Sequence, residues 1–151
     1  PGNAGAIFRS ADAVGVDAVV LCEASCDLFN PNLIRSSLGT VFTVPCADAT
    51  QADTIAWLGE RGLTSYAGIV GAQRTMWEVD YRGPTAIVVG SEACGLGPLW
   101  RENGGLNGKS RGKLVAVSIP MLGVADSLNV SVTAAALLFE ARRQRSIGSL
   151  K

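Results

Sequence analysis

Short strand-like runs and helix-like segments alternate along the whole chain. The run DAVVLCE at 17–23 is rich in β-branched residues, and TAIVVG at 85–90 is the most strand-like segment. Runs of this kind are typical of strands that are buried on both faces of a sheet. Their separation by helices predicts an α/β chain with a mostly parallel sheet and helices on both faces. The predicted strands are 17–23, 42–46, 64–70, 85–90 and 114–119, and the predicted helices are 4–14, 31–38, 50–61, 98–103 and 127–145.

The size and composition of the chain predict one globular domain. It has 151 residues, of which 48% are hydrophobic and 17% charged, and this composition excludes a disordered chain. Thirteen basic residues balance thirteen acidic ones, so any RNA site must be local rather than a product of net charge. Because so few charges leave an apolar face exposed, we expect a homodimer, with the small residues from Ala134 to Ala136 allowing close helix packing.

The chain contains no histidine, which excludes Ser-His-Asp and Cys-His catalysis and histidine-ligated metals. Its cysteines have no paired CxxC spacing, so we expect reduced thiols in a cytoplasmic protein and no metal site. No apolar stretch is long enough for a membrane span, and the first residues show no basic-then-apolar pattern, so we expect neither a membrane span nor a secretory leader. Because the chain begins at Pro1 rather than at Met, we expect its natural N-terminus to lie upstream. The cysteines are Cys22, Cys26, Cys46 and Cys94.

Ligands of parallel α/β sheets bind beyond the carboxyl ends of the strands, so we expect the chemistry at 90–96, at 119–129 and near the first helix. The turn VVGSEACGLG after the fourth strand lacks the lysine of a Walker loop, because Leu96 follows Gly95. Glu92 occupies the second glycine position of a dinucleotide fingerprint and would repel a phosphate. A GxSxG nucleophile elbow also fails on spacing. Two interpretations stay open: a tight turn with an acid directed into a site, and a turn with a solvated glutamate.

Polar residues interrupt the apolar start of the last helix. Ser127, Asn129 and Ser131 all lie there, although a helix needs only one of them as its N-cap. The excess indicates that some of them serve a site. At the other end of the chain, Asn3 is predicted to cap the first helix, and Gly15 to end it.

Three segments together resemble the SpoU (TrmH-like) branch of the SPOUT methyltransferases: NAGAIFRSADAVG at 3–15, IVVGSEACGLG at 87–97 and SIPMLGVADSLNVSVTAA at 118–135. The resemblance covers nearly the whole chain. It implies that residues 1–151 form one catalytic domain, without the first strand and RNA-binding extension found in the family. It also implies a deep trefoil knot in the C-terminal part, and methyl transfer from S-adenosylmethionine to a ribose 2′-hydroxyl of tRNA or rRNA.

The resemblance assigns the S-adenosylmethionine site to the loops of the knot. By match, Gly90 closes one loop, Ile119 and Met121 supply another, and Leu128 lies in the third. Apolar residues suit this role because adenine needs an apolar slot and backbone hydrogen bonds to its edge. Packing in the core is the alternative role for Ile119 and Leu128, and both roles are compatible.

The resemblance assigns catalysis to Asn3, Arg9, Glu92, Ser127 and Asn129. A ribose hydroxyl is a poor nucleophile, which must be aligned with the methyl group and relieved of its proton. A guanidinium is a poor base, so we expect Arg9 to bind an RNA phosphate, with the phosphate helping to take the proton. Arg9 follows Asn3 by six residues and is expected on nearly the same helix face. Glu92 is expected to orient Arg9 or its own loop, and Ser127 and Asn129 to bind the ribose or hold the loops.

Further RNA contacts are expected from Arg35, by resemblance, and from the basic loop with Lys109 and Arg111. A charged loop that is merely solvated is the alternative for the basic loop, and a surface helix arginine is the alternative for Arg9. Asp126 departs from this pattern, since it places a carboxylate beside Ser127.

Other functions remain compatible with parts of the sequence. One is an antibiotic-resistance methyltransferase acting on a single rRNA nucleotide, which the sequence does not distinguish from a housekeeping enzyme. Another is a catalytically silent module that binds RNA or cofactor. A nicotinamide oxidoreductase fits the alternating pattern but lacks the fingerprint.

Overall fold

The computed structural model describes residues 1–23, 27–91, 95–103 and 113–148. The chain divides into two compact units, Pro1–Thr54 and Ile55–Lys151. Only parallel strand pairs occur among the described strands, so the chain is α/β as predicted. The elements are α1 Gly2–Val14, β1 Val19–Cys22, α2 Pro31–Ser37, β2 Cys46–Ala49, α3 Gln51–Glu60, β3 Thr64–Gly68, β4 Thr85–Val88, α4 Pro98–Asn103, β5 Lys113–Val117 and α5 Val130–Gly148.

In the first unit, α1 packs closely on α2. Gly5 makes this possible, because a Cβ at this position would lie 2.7 Å from the Leu33 carbonyl oxygen and from the Ser37 amide nitrogen. β1 pairs in parallel with β2, with Val19 opposite Cys46. The core beneath these elements consists of Phe8, Leu33, Val41 and Val44.

The start of α1 differs from the prediction. The helix begins at Gly2, Pro1 occupies the N-cap position without a side-chain cap, and Asn3 lies within the first turn. The predicted capping role of Asn3 is therefore wrong, because the chain is already helical at that residue. Gly15 ends the helix as predicted, with a φ of 70° that suits glycine.

The second strand begins later than predicted. Residues Thr40–Phe42 form a 3₁₀ turn, and the Val44 amide still donates to the Thr40 carbonyl. Pro45 has no amide hydrogen, but its carbonyl accepts a hydrogen bond from Val19 at 2.9 Å. Pairing with β1 thus starts at this residue, and the strand runs from Cys46 rather than over 42–46.

The second unit contains a three-stranded parallel sheet in the order β4-β3-β5. Thr64 of β3 lies opposite Thr85 on one side and Lys113 on the other, so the three strands begin at the same level of the sheet. Their carboxyl ends lie within one residue of each other. The described strands therefore form two sheets, whereas the sequence predicts one. The core of this unit consists of Tyr66, Met76, Val79, Tyr81, Val117, Leu137 and Ala141.

Two further predictions concern the cysteines and membrane-spanning helices. Cys22 and Cys46 are free thiols, as expected, and Cys26 and Cys94 lie outside the described residues. In the described part of the chain, no helix is both long enough and apolar enough to cross a membrane.

Candidate functional site

A cavity of about 730 Å³ lies at the carboxyl ends of β3, β4 and β5. Parallel strands end at one edge of a sheet, so the loops that follow them meet there. The described lining comes from the ends of the three strands, the loops that follow them and the first turn of α5: Gly68, Ile69, Val70, Gly71, Val89, Gly90, Ser91, Gly95, Leu96, Val117, Ser118, Ile119, Pro120, Met121, Asp126, Ser127, Leu128, Asn129, Val130 and Thr133.

The turn after β4 has the tight geometry that its glycines predict. The amides and carbonyls of Ser91 and Gly95 exchange two hydrogen bonds, of 3.1 and 2.8 Å. A Cβ on Gly90 would overlap the backbone of Gly95, so only glycine fits. Glu92, which the sequence directs into the site from this turn, lies outside the described residues.

The loop after β5 is held in place at Ser118. Its amide donates to the Arg74 carbonyl at 2.8 Å, and its carbonyl accepts from the Met76 amide at 2.8 Å. Its hydroxyl donates to the Ala72 carbonyl at 3.1 Å. These hydrogen bonds fix the position of the next residue, Ile119. Ile119 lines the cavity and also packs against the hydrophobic core of the unit.

The turn that receives these bonds is itself stabilised by a carboxylate. The amide and hydroxyl of Thr75 donate to Glu78 at 2.7 and 2.9 Å. These two hydrogen bonds hold the pKa of Glu78 below its usual value, since they favour the ionised form. The turn and the loop after β5 therefore form one hydrogen-bonded wall.

Asn129 is the N-cap of α5. Its side-chain oxygen accepts hydrogen bonds from the amide and the hydroxyl of Ser131, at 2.9 and 2.6 Å. The helix starts at Val130, three residues after the predicted start, so Ser127 and Leu128 lie in the preceding loop. Two of the three polar residues are thus used by the helix cap, and Ser127 is left for another role.

Six of the predicted site residues line this one cavity, although they come from segments up to 39 positions apart in the chain. Four of them carry the predicted cofactor role, and Ser127 and Asn129 carry the predicted catalytic role. The four residues with the predicted cofactor role are Gly90, Ile119, Met121 and Leu128. The structure therefore brings into one cavity residues that lie on separate loops of the sequence.

The other predicted site residues lie in the first unit or outside the described residues. Asn3 and Arg9 lie on α1 of the first unit. Each residue of an α-helix rotates the chain by about 100°, so a separation of six residues places the two side chains roughly 120° apart around the helix axis. The prediction of nearly the same face is therefore wrong. Arg9 and Arg35 are exposed, and neither makes an ion pair with any residue that the structure describes. Lys109 and Arg111 lie outside the described residues.

Sequence reasoning missed the loop after β3. Residues 68–71 and Thr133 of α5 line the cavity, but the predicted sites were confined to the other two strand ends and to the first helix. Two glycines, Gly68 and Gly71, follow this strand and were the available signal. They could have been interpreted as a third loop at the same sheet edge.

The electrostatics of the described lining are simple. Asp126 is its only ionisable side chain, and all the other lining residues are uncharged. Within the described ranges, no group of three or more acidic or cysteine side chains could hold a metal ion. The described lining is thus suited to an organic ligand that makes mostly apolar and backbone contacts, with one carboxylate beside it.

Comparison with known proteins identifies the family. The family model described as the SpoU rRNA Methylase family matches residues 1–139. The chain is 33% identical to a 23S rRNA (uridine(2479)-2'-O)-methyltransferase of Streptomyces viridochromogenes, over 98% of this chain and 50% of that protein. It is 36% identical to the 23S rRNA (guanosine-2'-O-)-methyltransferase RlmB of Ralstonia nicotianae, over 97% of this chain and 56% of that protein.

A solved structure gives the same result. The chain is similar to the SpoU methyltransferase AviRb from Streptomyces viridochromogenes in complex with the cofactor AdoMet, with a TM-score of 0.85 and 32% identity. The match covers 98% of this chain and 57% of that one. The chain spans about half the length of the curated relatives it matches. Because the family model and both relatives align along nearly all of it, the chain belongs to the SpoU rRNA methylase family.

Proposed function

We propose that this chain is the catalytic part of an enzyme that transfers methyl from S-adenosylmethionine to a ribose 2′-hydroxyl of RNA. One observation carries the proposal: the loops after β4 and β5, which hold two of the three SpoU-like segments, line a single cavity at the sheet edge. The names of the relatives, which are 23S rRNA 2'-O-methyltransferases, support the same reaction.

The residues present fit S-adenosylmethionine. A volume of about 730 Å³ is within the usual range for a cofactor pocket, roughly 300–1,000 Å³. Gly90 lacks a Cβ, so the backbone of Gly95 lies directly against it, and both glycines line the cavity. This part of the wall is therefore backbone, and its peptide groups are proposed to bind the edge of an adenine ring. Ile119, Met121 and Leu128 would supply apolar contacts to adenosine, and Leu128 is more than one-third exposed and so accessible to a ligand.

When bound, the cofactor supplies an electrophilic methyl group on a sulfonium. The protein must then place the ribose hydroxyl in line with that group and accept or relay its proton. Ser127, which lines the cavity in the loop before α5, is proposed to take part in this step. Asn129 is proposed to support it by holding that loop to the helix through its cap. Glu92 is proposed to act from the turn after β4.

Arg9 is proposed to bind the phosphate next to the target ribose. A guanidinium has only hydrogen-bond donors, so it can make two parallel hydrogen bonds to a phosphate and is a poor general base. Its exposure, and the absence of an ion pair with any described residue, leave it available to an external anion. Asn3, Arg35, Lys109 and Arg111 are proposed as further catalytic or RNA contacts.

The RNA substrate is proposed to be rRNA, because the relatives named above act on 23S rRNA. tRNA is the alternative, and methyl transfer to purified tRNA but not to rRNA would establish it. The enzyme is proposed to work in the cytoplasm, where both RNAs are found. A resistance enzyme and a housekeeping enzyme would carry out the same reaction and differ only in the nucleotide modified.

The assembly is proposed to be a homodimer formed through α5. Ala134, which was expected to face a partner, is instead buried within its own unit, with 2% exposure. Val132 and Phe139 remain about half exposed and lie seven residues apart, on one face of the helix. Residues 1–151 are proposed to act as one catalytic domain with helices on both sheet faces and the C-terminal trefoil knot of the family.

The proposal is tested by calorimetric titration of the chain with S-adenosylmethionine and, separately, with NADH. We expect binding of S-adenosylmethionine near one site per chain and none of NADH. Leu128→Arg and Ile119→Arg place a cation in the cavity and should abolish binding. Val124→Arg is the matched control, because Val124 lies in the same loop but is fully exposed and outside the lining.

Transfer of labelled methyl to rRNA, followed by identification of the modified ribose, completes the test. Binding without any transfer to rRNA or tRNA would indicate a catalytically silent module. Absence of S-adenosylmethionine binding by the folded chain would refute the proposed function for this chain.

A further inference from the structure

Asp126 is the one ionisable side chain in the described lining of the cavity. It lies in the loop between β5 and α5, next to Ser127 and Leu128. Within the described part of the chain, its carboxylate makes no hydrogen bond or ion pair. It is exposed to solvent, so its charge is available to a ligand rather than neutralised by the protein.

We propose that Asp126 makes the cavity prefer S-adenosylmethionine to its demethylated product, S-adenosylhomocysteine. This inference rests on the proposed function, since it concerns the same cavity and cofactor. In the transfer, the ribose oxygen forms a bond to the methyl carbon, the carbon–sulfur bond breaks with its electron pair on sulfur, and the hydroxyl proton leaves to phosphate or water. The sulfonium thereby becomes a neutral thioether, and the bound molecule loses one positive charge.

The other described lining residues are uncharged and have little means of making this distinction. Adenosine, ribose and the amino-acid group are common to both molecules, so contacts with Ile119, Leu128 or the backbone at Gly90 favour both similarly. The two molecules differ only in one methyl group and one positive charge. A carboxylate attracts the positive charge that only S-adenosylmethionine carries on its sulfur. Uncharged apolar residues distinguish the two molecules only through contacts with the methyl group.

Asp126 directly precedes Ser127 and Leu128 in the same loop, and all three residues line the cavity. These two neighbours are the residues proposed above to act on the ribose hydroxyl and to contact adenosine, so the carboxylate is on the side of the cavity where the sulfonium would lie. Electrostatic attraction between unpaired charges extends over about one Debye length, roughly 10 Å at 0.1 M salt. Because the carboxylate is exposed, water screens it, and we expect a preference of about three- to fivefold from this charge.

The experiment measures dissociation constants by calorimetry for S-adenosylmethionine, S-adenosylhomocysteine and sinefungin, an analogue with an ammonium near the sulfonium position. The variants are Asp126→Asn, which removes the charge at nearly constant shape, and Asp126→Glu, which retains it. Glu60→Gln is the matched control, since Glu60 is an exposed carboxylate of α3 outside the cavity lining and its neutralisation changes the net charge equally.

We expect Asp126→Asn to weaken the binding of S-adenosylmethionine and sinefungin about three- to fivefold more than the binding of S-adenosylhomocysteine, with a smaller difference in 0.5 M salt. Asp126→Glu and Glu60→Gln should keep the wild-type ratio. Equal weakening of all three ligands, or no change in any, would overturn the inference while leaving the proposed function intact. An increase in RNA affinity with an unchanged cofactor ratio would also overturn it, by showing that the carboxylate faces RNA. A wild-type chain that binds none of the ligands would overturn both proposals.

Discussion

Gln144 of α5 forms hydrogen bonds with the backbone around Tyr81 in the manner of a neighbouring strand. Its side-chain oxygen accepts from the Tyr81 amide at 2.9 Å, and its side-chain nitrogen donates to the Val79 carbonyl at 3.0 Å. Arg145 adds a bond to the Tyr81 carbonyl at 3.0 Å. The last helix thus attaches the segment before β4 to the core, although the two are more than 60 residues apart in sequence.

Replacing Gln144 by alanine should destabilise the second unit. Both backbone groups would lose their partner in a partly buried position, and we expect a decrease of about 1–2 kcal/mol in the free energy of unfolding. Urea denaturation measures this change. Arg142→Ala is the control, because Arg142 is an exposed residue of the same helix. An equal decrease in the free energy of unfolding for both variants would show that the side-chain hydrogen bonds of Gln144 do not stabilise the unit.

Gly90→Ala should damage the cavity. The added Cβ would overlap the backbone of Gly95, so the turn after β4 must open, at a cost of about 1–3 kcal/mol. We expect a lower unfolding midpoint and loss of S-adenosylmethionine binding. Gly83→Ala is the control, since a Cβ there meets no atom within 4 Å. Full binding by Gly90→Ala would show that the turn does not contact the cofactor.

Glu140 should make stability dependent on pH below its ordinary pKa. This side chain is 6% exposed and accepts two hydrogen bonds from Arg143 and one from Gln144, and the Arg143 bonds in particular hold its pKa below the usual 4.5. A lowered pKa in the folded state means that the contribution is complete above about pH 4.5 and is lost as the pH falls through the folded value.

The test compares the free energies of unfolding of wild type and Glu140→Gln from pH 7 to pH 3. We expect the variant to be less stable by about 1 kcal/mol near neutral pH, and the difference to shrink below pH 4.5. A difference that stays constant across the range would mean that the carboxylate charge is not what stabilises this region.

Substituting Phe139 tests the proposed dimer. Phe139→Glu places a charge on the half-exposed apolar face of α5 without disturbing buried residues. If this face joins two copies, sedimentation analysis should detect a dimer for wild type and a monomer for the variant. Trp77→Glu, which alters another exposed apolar residue outside α5, should leave the dimer unchanged. Monomeric wild-type protein would refute the proposed interface.

Local patterns in the sequence were sufficient for most of the elements. Apolar spacing and a closing glycine predict α1 and α3, and an opening proline predicts α2 and α4, all to within two residues. These features depend only on neighbours in the chain. The errors also have local causes. Pro45 moves the start of β2, and because Asn129 is the N-cap, α5 begins at Val130, three residues after the predicted start at 127.

By itself, the sequence determined the α/β class, the tight turn at Gly90 and the family resemblance, since each is a matter of residue type at a given spacing. Only the tertiary structure decided that β3 lies between β4 and β5, that the loop after β3 completes the cavity wall, and that Asp126 is the charge in its described lining. These are contacts between residues tens of positions apart. Hydrophobic periodicity repeats over two to four residues, so it determines which face of an element is buried but carries no information on which distant element will cover it.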